Sequence, residues 1–304
     1  MSAPATPEDS AGPRPRRADG PVTAAAQAPG LAAELNSGSG GMLLHRKGQL
    51  NYGFGREGRK FSRDMVSYMN DKVGGTITTF FYDEVFGVRD RVHWLVHLKA
   101  PNDYSLLLNM VDDDEEFRDI SLLDRLPEKG HGNWERMFVE GSLIEQVLVP
   151  QHGLHYHHEG ADPDAERGNY VPAARNQTAQ PFDLQLDSAN AGAIVLRTVD
   201  VAYRYREEGR LFAFDWQESV NQTFPGLVTS LLFEQNFGRQ DRIHWLIHLR
   251  DLADYRLLGE FDESEAALCT VYRKQRVHES KGGGTWDQLF LPATMHDTVL
   301  VPRG

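Results

Sequence analysis

F-G-V-R-D-R-V-H-W-L-V-H-L at residues 86–98 returns as F-G-R-Q-D-R-I-H-W-L-I-H-L at residues 237–249, 151 positions later. The shared D-R-x-H-W-L-x-H-L is gapless, and two histidines and a tryptophan do not recur in register by chance. A period this long is unlike a solenoid unit and fits two copies of one domain. The register extends outward from that core. Glu57, Gly58-Arg59 and Phe61 stand opposite Glu208, Gly209-Arg210 and Phe212, and Asp103-Tyr104 stands opposite Asp254-Tyr255. Trp134-Glu135-Arg136-Met137-Phe138 answers Trp286-Asp287-Gln288-Leu289-Phe290 with one residue of slippage, and Leu148-Val149-Pro150 answers Leu300-Val301-Pro302.

The copies predict domains over 40–150 and 191–304, with a polar linker over 151–190. Residues 1–38 are rich in Ala, Pro, Gly and Ser. Such a segment buries too little apolar surface to offset its ordering entropy, so a disordered tail is expected. With 32 Lys plus Arg against 44 Asp plus Glu, the net charge of −12 argues against nucleic acid as the main partner. A single cysteine, Cys269, excludes an intramolecular disulfide and suits a reducing compartment. No apolar run approaches the ~18 residues of a membrane helix, and no signal-peptide core is seen at the N-terminus. A cytoplasmic protein is expected.

Each half shows the same order of elements. Met42–His45 and Ala193–Leu196 read as a first strand. Arg56–Asn70 and Arg206–Asn221 read as helices, with Phe61, Met65, Tyr68 and Met69 at helical spacing. Gly74-Gly75 or Pro225-Gly226 ends the helix. Ile77–Phe86 and Leu227–Phe237 predict a second strand, followed by the repeated strand, a helix opened near Asp103 or Asp254, and a last strand over 143–149 or 298–301. This is β-α-β-β-α-β, the ferredoxin-like order, so the fold class is α+β: two tandem ferredoxin-like repeats in a barrel-like, dimer-like arrangement.

Strand alternation assigns faces to the repeated strand. Val92, Trp94, Val96 and Leu98 form an apolar side suited to the helices. Arg91, His93, Leu95 and His97 form the other, and the second half repeats the pattern. That mostly polar face predicts a wet cavity shared by the two sheets. His93 and His97 lie four residues apart on a strand, roughly 13 Å at ~3.3 Å per residue, too far to chelate one ion together. His93 and His244 would meet only if the halves face each other. No metal site is assigned. The histidines either stiffen the sheet through hydrogen bonds or contact a substrate, with Arg91 and Tyr82 completing the substrate-contact set. His155, His157 and His158 form a short tract in the linker and read as solvated loop.

Tyr82-Asp83-Glu84 matches Phe233-Glu234-Gln235, so the second copy keeps an acid at the Asp83 position but carries an amide where the first has Glu84. A carboxyl near Phe80, Phe81 and Tyr82 is expected to have a raised pKa and to act as a general base. The alternative is a strand-end carboxylate in water or paired with an arginine. Arg59, repeated as Arg210, suits a bidentate clamp on a substrate carboxylate, or a structural pair with Glu57. No nucleophile motif appears, and Lys281-Gly282-Gly283-Gly284-Thr285 lacks the Gly-Lys-Ser/Thr of a phosphate loop.

The duplicated F-G-x-x-D-R-x-H-W-L-x-H-L, the upstream G-R and the W-[ED]-x-[ML]-F before L-V-P together resemble a group of actinobacterial biosynthetic-cluster proteins. Within it the chain is most similar to the bacterial Pictet–Spengler cyclases that build β-carbolines from tryptophan. The resemblance spans nearly all of residues 40–304. It implies a homodimer condensing L-tryptophan with an aldehyde, without a cofactor. It also implies an acid–base glutamate, Glu84, assisted by an arginine 25 positions upstream, Arg59. The histidine that the family carries ten residues before its glutamate is Gly74 here, which puts that contact in doubt. Cofactor-free oxidation or cyclisation of a polyketide on the same scaffold, and non-catalytic binding, are the other readings.

Overall fold

The computed structural model describes residues 35–151 and 173–302. The first half runs β1 (Met42–Gln49), α1 (Gly55–Val73), β2 (Ile77–Val85), β3 (Arg91–Leu98), α2 (Tyr104–Asp113), α3 (Glu115–Leu122), α4 (Trp134–Met137) and β4 (Ile144–Pro150). The second runs β5 (Ala193–Asp200), α5 (Arg206–Thr223), β6 (Val228–Gln235), β7 (Arg242–Leu249), α6 (Arg256–Asp262) and β8 (His296–Pro302). Each half is the expected β-α-β-β-α-β unit, with strands in the order β4-β1-β3-β2 and β8-β5-β7-β6.

The halves join edge to edge within one chain. Strand β2 pairs with β8, and β4 pairs with β6, closing an eight-stranded antiparallel barrel. The repeated L-V-P tails perform the closure: Val301 stands opposite Asp83, and Val149 opposite Glu234. Closure leaves neither sheet with a raw edge, and a proline is the last residue of each closing strand.

The helices cover the outside. Phe61 and Val66 of α1 pack on the apolar side of β3, with Val92, Trp94, Val96 and Leu98 in one cluster. The second half repeats this with Phe212, Val220, Trp245 and Ile247. Gly58 of the repeated G-R lies so close to β1 that a Cβ there would fall 2.3 Å from Leu50 Cδ2. At the far end of α1, the Asn70 amide bonds both backbone groups of Thr79, at 2.7 and 2.9 Å. Asn221 does the same to Ser230 at the same offset.

The alternate face does enclose a space shared by both halves, but its middle is not wet. Leu43, Phe80, Tyr82, Leu95, Phe233 and Leu246 meet there, each at most 1% exposed. One end is sealed by two serines. Ser37 N–H donates to Ser188 Oγ and Ser188 N–H to Ser37 Oγ, both at 3.0 Å. Each hydroxyl also meets a repeated histidine, Ser37 with His248 at 2.7 Å and Ser188 with His97 at 2.9 Å. His248 Nδ1 lies 3.0 Å from the Thr229 carbonyl, which can only accept, so Nε2 is the acceptor and Ser37 donates to it.

The seal corrects two boundaries. Residues 35–38, expected in the tail, are folded, with Leu35 and Ser37 buried. The expected linker contributes buried Ala174, Gln177, Gln180 and Ser188. These stretches look like polar loop in sequence because their side chains satisfy backbone groups at the barrel end. Gln177, for example, exchanges hydrogen bonds of 2.8 Å with both backbone groups of Leu232. The rest of the tail and the tract at residues 155–158 lie outside the described residues.

Ser37→Ala should strand the Ser188 amide and the His248 ring nitrogen. Leaving buried polar groups unpaired costs about 1–3 kcal/mol, so thermal unfolding should shift down by several degrees. An unchanged melting temperature would contradict the seal.

Candidate active site

The barrel end opposite the serine seal carries the charged groups. Strand alternation points Lys47, Glu84, Arg91 and His93 inward from the first half, and Thr198, Gln235, Arg242 and His244 inward from the second. Two exposed aromatic pairs collar this mouth: Phe86 and Phe237 at the hairpin tips, and Tyr52 and Tyr203 after β1 and β5.

Within the first half these groups form a hydrogen-bonded chain. Glu84 Oε1 accepts from the Val88 N–H at 2.7 Å, and Oε2 lies 3.0 Å from His93 Nε2. His93 Nδ1 lies 2.8 Å from His45 Nε2. Burial pushes the Glu84 carboxyl up, but hydrogen bonds from His93 and Val88, with Arg91 3.7 Å away, outweigh it and leave the pKa below the ordinary value. The raised pKa expected from the neighbouring aromatics is therefore not found. Those rings are on its strand but do not isolate it, because donors reach both of its oxygens.

An ionised Glu84 fixes the tautomers. His93 Nε2 must donate to the carboxylate, so His93 Nδ1 accepts from His45 Nε2–H. The chain then ends at an unprotonated His45 Nδ1. That nitrogen forms no well-shaped hydrogen bond among the described residues, although Gln146 lies alongside. Both ring nitrogens of His244 are likewise buried without a hydrogen-bond partner among the described residues. Burial, then His93 and His244, hold the His45 pKa well below the usual imidazole value. Buried polar atoms are normally satisfied, so these nitrogens are free to meet an ordered water or a bound molecule.

The second half lacks the chain. At the 151-residue offset Leu196 replaces His45, Gln235 replaces Glu84 and Thr198 replaces Lys47. Arg242 is held by Asp200 at 2.7 Å, whereas Gln49 takes that place beside Arg91. The first half thus presents Arg91 and Lys47 to the mouth. Burial, with Arg91 and Arg242 nearby, lowers the Lys47 pKa while Glu84 opposes the shift.

The sequence-derived site residues fall in three places. Glu84, His93 and Arg91 come together. His97 and Tyr82 point toward the sealed end, where the Tyr82 hydroxyl donates to the Ser188 carbonyl at 3.0 Å. Arg59 sits on the helix side of β2, bonded to Asp83 at 2.8 Å and Asp90 at 3.1 Å, on the opposite strand face from Glu84. Arg210 repeats this with Glu234 and Asp241, and Asp90 and Asp241 share positive φ angles of 62° and 59°. His45 and Lys47 escaped the sequence reading, although the contrast that exposed Glu84 against Gln235 holds at both positions. Among the described residues, no group of three or more His, Cys, Asp or Glu is arranged to hold a metal ion. No helix there is long and apolar enough to cross a membrane.

The sequence profile of DUF6039, a family of unknown function, matches residues 15–304. The chain belongs to that family. No curated protein matches the DUF6039 chain by sequence. Among solved structures it is similar to a presumed monooxygenase of Fusobacterium nucleatum, at 11% identity and a TM-score of 0.50, covering 86% of this chain and 92% of that one. An anthrone oxidase-like protein matches at 8% identity and a TM-score of 0.48, over 89% and 94% of the two chains. A chlorite dismutase variant from Candidatus Nitrospira defluvii matches at 11% and 0.46, over 86% and 92%. The first similarity shows a shared α+β barrel fold and nothing of the chemistry; the other two carry no weight.

The buried histidines make stability pH-dependent. Burial lowers His97 and His244 to about 3 and His248 to about 4, against an ordinary 6.5. Below pH 6.5 the unfolded chain takes up protons that the native chain refuses, so stability is lost as pH falls. Each such histidine costs about 1.4 kcal/mol per pH unit until its folded pKa is reached. Urea unfolding should show a markedly lower midpoint at pH 5 than at pH 7.5. Equal midpoints would contradict neutral burial.

Proposed function

We propose that the mouth of the barrel is the active site of an enzyme that moves protons on a small aromatic anion. The observation that carries this reading is the Glu84–His93–His45 chain ending on a buried, unprotonated Nδ1. A proton taken by His45 Nδ1 passes on if His45 Nε2 gives its own to His93 and His93 gives its own to Glu84, so the buried carboxylate is the final acceptor. General acid–base groups placed this way contribute typically ~10²–10⁴ in rate. Arg91 and Lys47 supply the charge that orients an anionic substrate.

The finer reading is a Pictet–Spengler cyclisation of tryptophan or a related amino acid with an aldehyde. The amine and aldehyde lose water to form an iminium, the indole carbon attacks it, and the ring proton must then leave. Glu84 reached through the histidines would receive that proton, and Arg91 would hold the amino-acid carboxylate in the role first given to Arg59. His93 then relays the proton and His97 supports the wall, rather than binding substrate, and the enzyme works as a cytoplasmic homodimer, a state that sedimentation analysis would test. A second reading is oxidation of an acidic aromatic compound by dioxygen, favoured by the shared fold of the F. nucleatum protein. It begins with the same deprotonation.

The wild-type protein incubated with L-tryptophan and a set of aldehydes should give a product of their combined mass less one water. Glu84→Gln, which copies Gln235, and His45→Leu, which copies Leu196, should each lower turnover by about 10²–10⁴ with little change in melting temperature. Oxygen consumption with a hydroxylated polycyclic substrate, and no condensation, would favour the second reading. Full activity in both variants would sink the relay under either.

A further inference from the structure

On the other side of the sheet, the first half holds a cavity that the second half has filled. Between α1, α3 and the outer face of β3 lies a pocket of about 340 Å³, lined by Phe61, Met65, Trp94, Trp134 and Phe138 among others. The same place in the second half retains about 80 Å³, among Phe212, Trp216, Trp245 and Trp286. The aromatic frame is common to both, and three positions fill the slot in the second half.

At the 151-residue offset, Met65, Val111 and Ser121 stand where the second half has Trp216, Asp262 and Tyr272. All three first-half residues line the large pocket. In the second half the Trp216 indole meets Trp245 edge to face at 5.6 Å between ring centres. The Arg197 guanidinium lies 5.1 Å over it. Its Nε1–H donates to the Tyr272 hydroxyl at 2.9 Å, and that hydroxyl donates to Asp262. A flat ring and the polar pair that grips it thus occupy the slot. The first half lacks ring and grip together but has the same aromatic walls.

Protein interiors are close-packed, and voids beyond a water molecule are few. The first-half pocket lies within the range of small-molecule sites, roughly 300–1,000 Å³ with mainly apolar and aromatic lining. It also opens beside a cation: Arg118 lines it, and among the described residues no carboxylate pairs with that guanidinium, which donates to the Asp112 carbonyl at 2.9 Å.

We propose that the first half binds a flat, largely apolar aromatic molecule of two or three fused rings in this pocket, where the second half places the Trp216 indole. The ligand meets Trp94 edge to face, replacing the contact that Trp216 makes with Trp245, with Trp134 as a further wall. Trp94 and Val96 face this pocket while His93 and Leu95 face the barrel, so the site is separate from the mouth and does not depend on the proton relay.

Indole and 2-naphthol, titrated into the full chain and followed by ligand-observed NMR, are suitable probes. The wild type should bind both saturably. Met65→Trp installs the residue that the second half already accommodates, and should weaken binding about tenfold or more with unchanged circular dichroism. A wild-type crystal soaked in indole should show the ring between Met65 and Trp94, which decides the matter even if the variant does not fold. No saturable binding, equal binding by Met65→Trp, or a ring seated only elsewhere would overturn the proposal.

Discussion

Edge-to-edge pairing of two four-stranded sheets is the constraint on which the rest of the structure depends. A ferredoxin-like unit covers one sheet face with its own helices and leaves the other face and two strand edges bare. Pairing β2 with β8 and β4 with β6 removes both edges at once and turns the bare faces toward each other. Everything polar on those faces must then find partners inside a closed space. The serine pair, the neutral histidines and the Glu84 chain are three answers to that requirement. Burial of this kind also explains why the repeated histidines titrate so low.

Much of this was legible in the residues. The repeated H-W-L-x-H-L announced the duplication, and strand alternation placed Trp94 and Trp245 against helices and the histidines inside. The boundaries of α1 and α5 followed from apolar spacing and the Gly or Pro after them. What stayed hidden depends on register between strands distant in sequence. His45 meets His93 because β1 and β3 pair, which no local pattern reveals. The partners of Arg59 were hidden for a similar reason, since Asp83 and Glu84 are neighbours in sequence but point to opposite sides of the sheet. The sign of the Glu84 shift also depended on such contacts. Nearby aromatic residues suggested a dry site, whereas the Val88 amide and His93 hold the charge in place.

The duplication also supplies an internal comparison. Residues identical in both halves, such as the Arg59 and Arg210 clusters, the Asn70 and Asn221 clamps and the sealing serines, hold the scaffold. Two groups of differences bear on chemistry. At the mouth, Glu84, His45 and Lys47 face Gln235, Leu196 and Thr198 across the pseudo-twofold axis. Beneath the helices, Met65, Val111 and Ser121 contrast with Trp216, Asp262 and Tyr272. In both places the second half is the quieter copy, with an amide for an acid, a leucine for a histidine and a filled slot for an open one.

The serine seal makes the barrel interior a cul-de-sac. Anything that reaches His45 must come through the one charged mouth and leave by the same route. Two reactants cannot approach from opposite ends, so the deeper one has to arrive first. A reaction joining two molecules here would follow a compulsory order, and excess of the outer reactant would inhibit by occupying the mouth ahead of its partner.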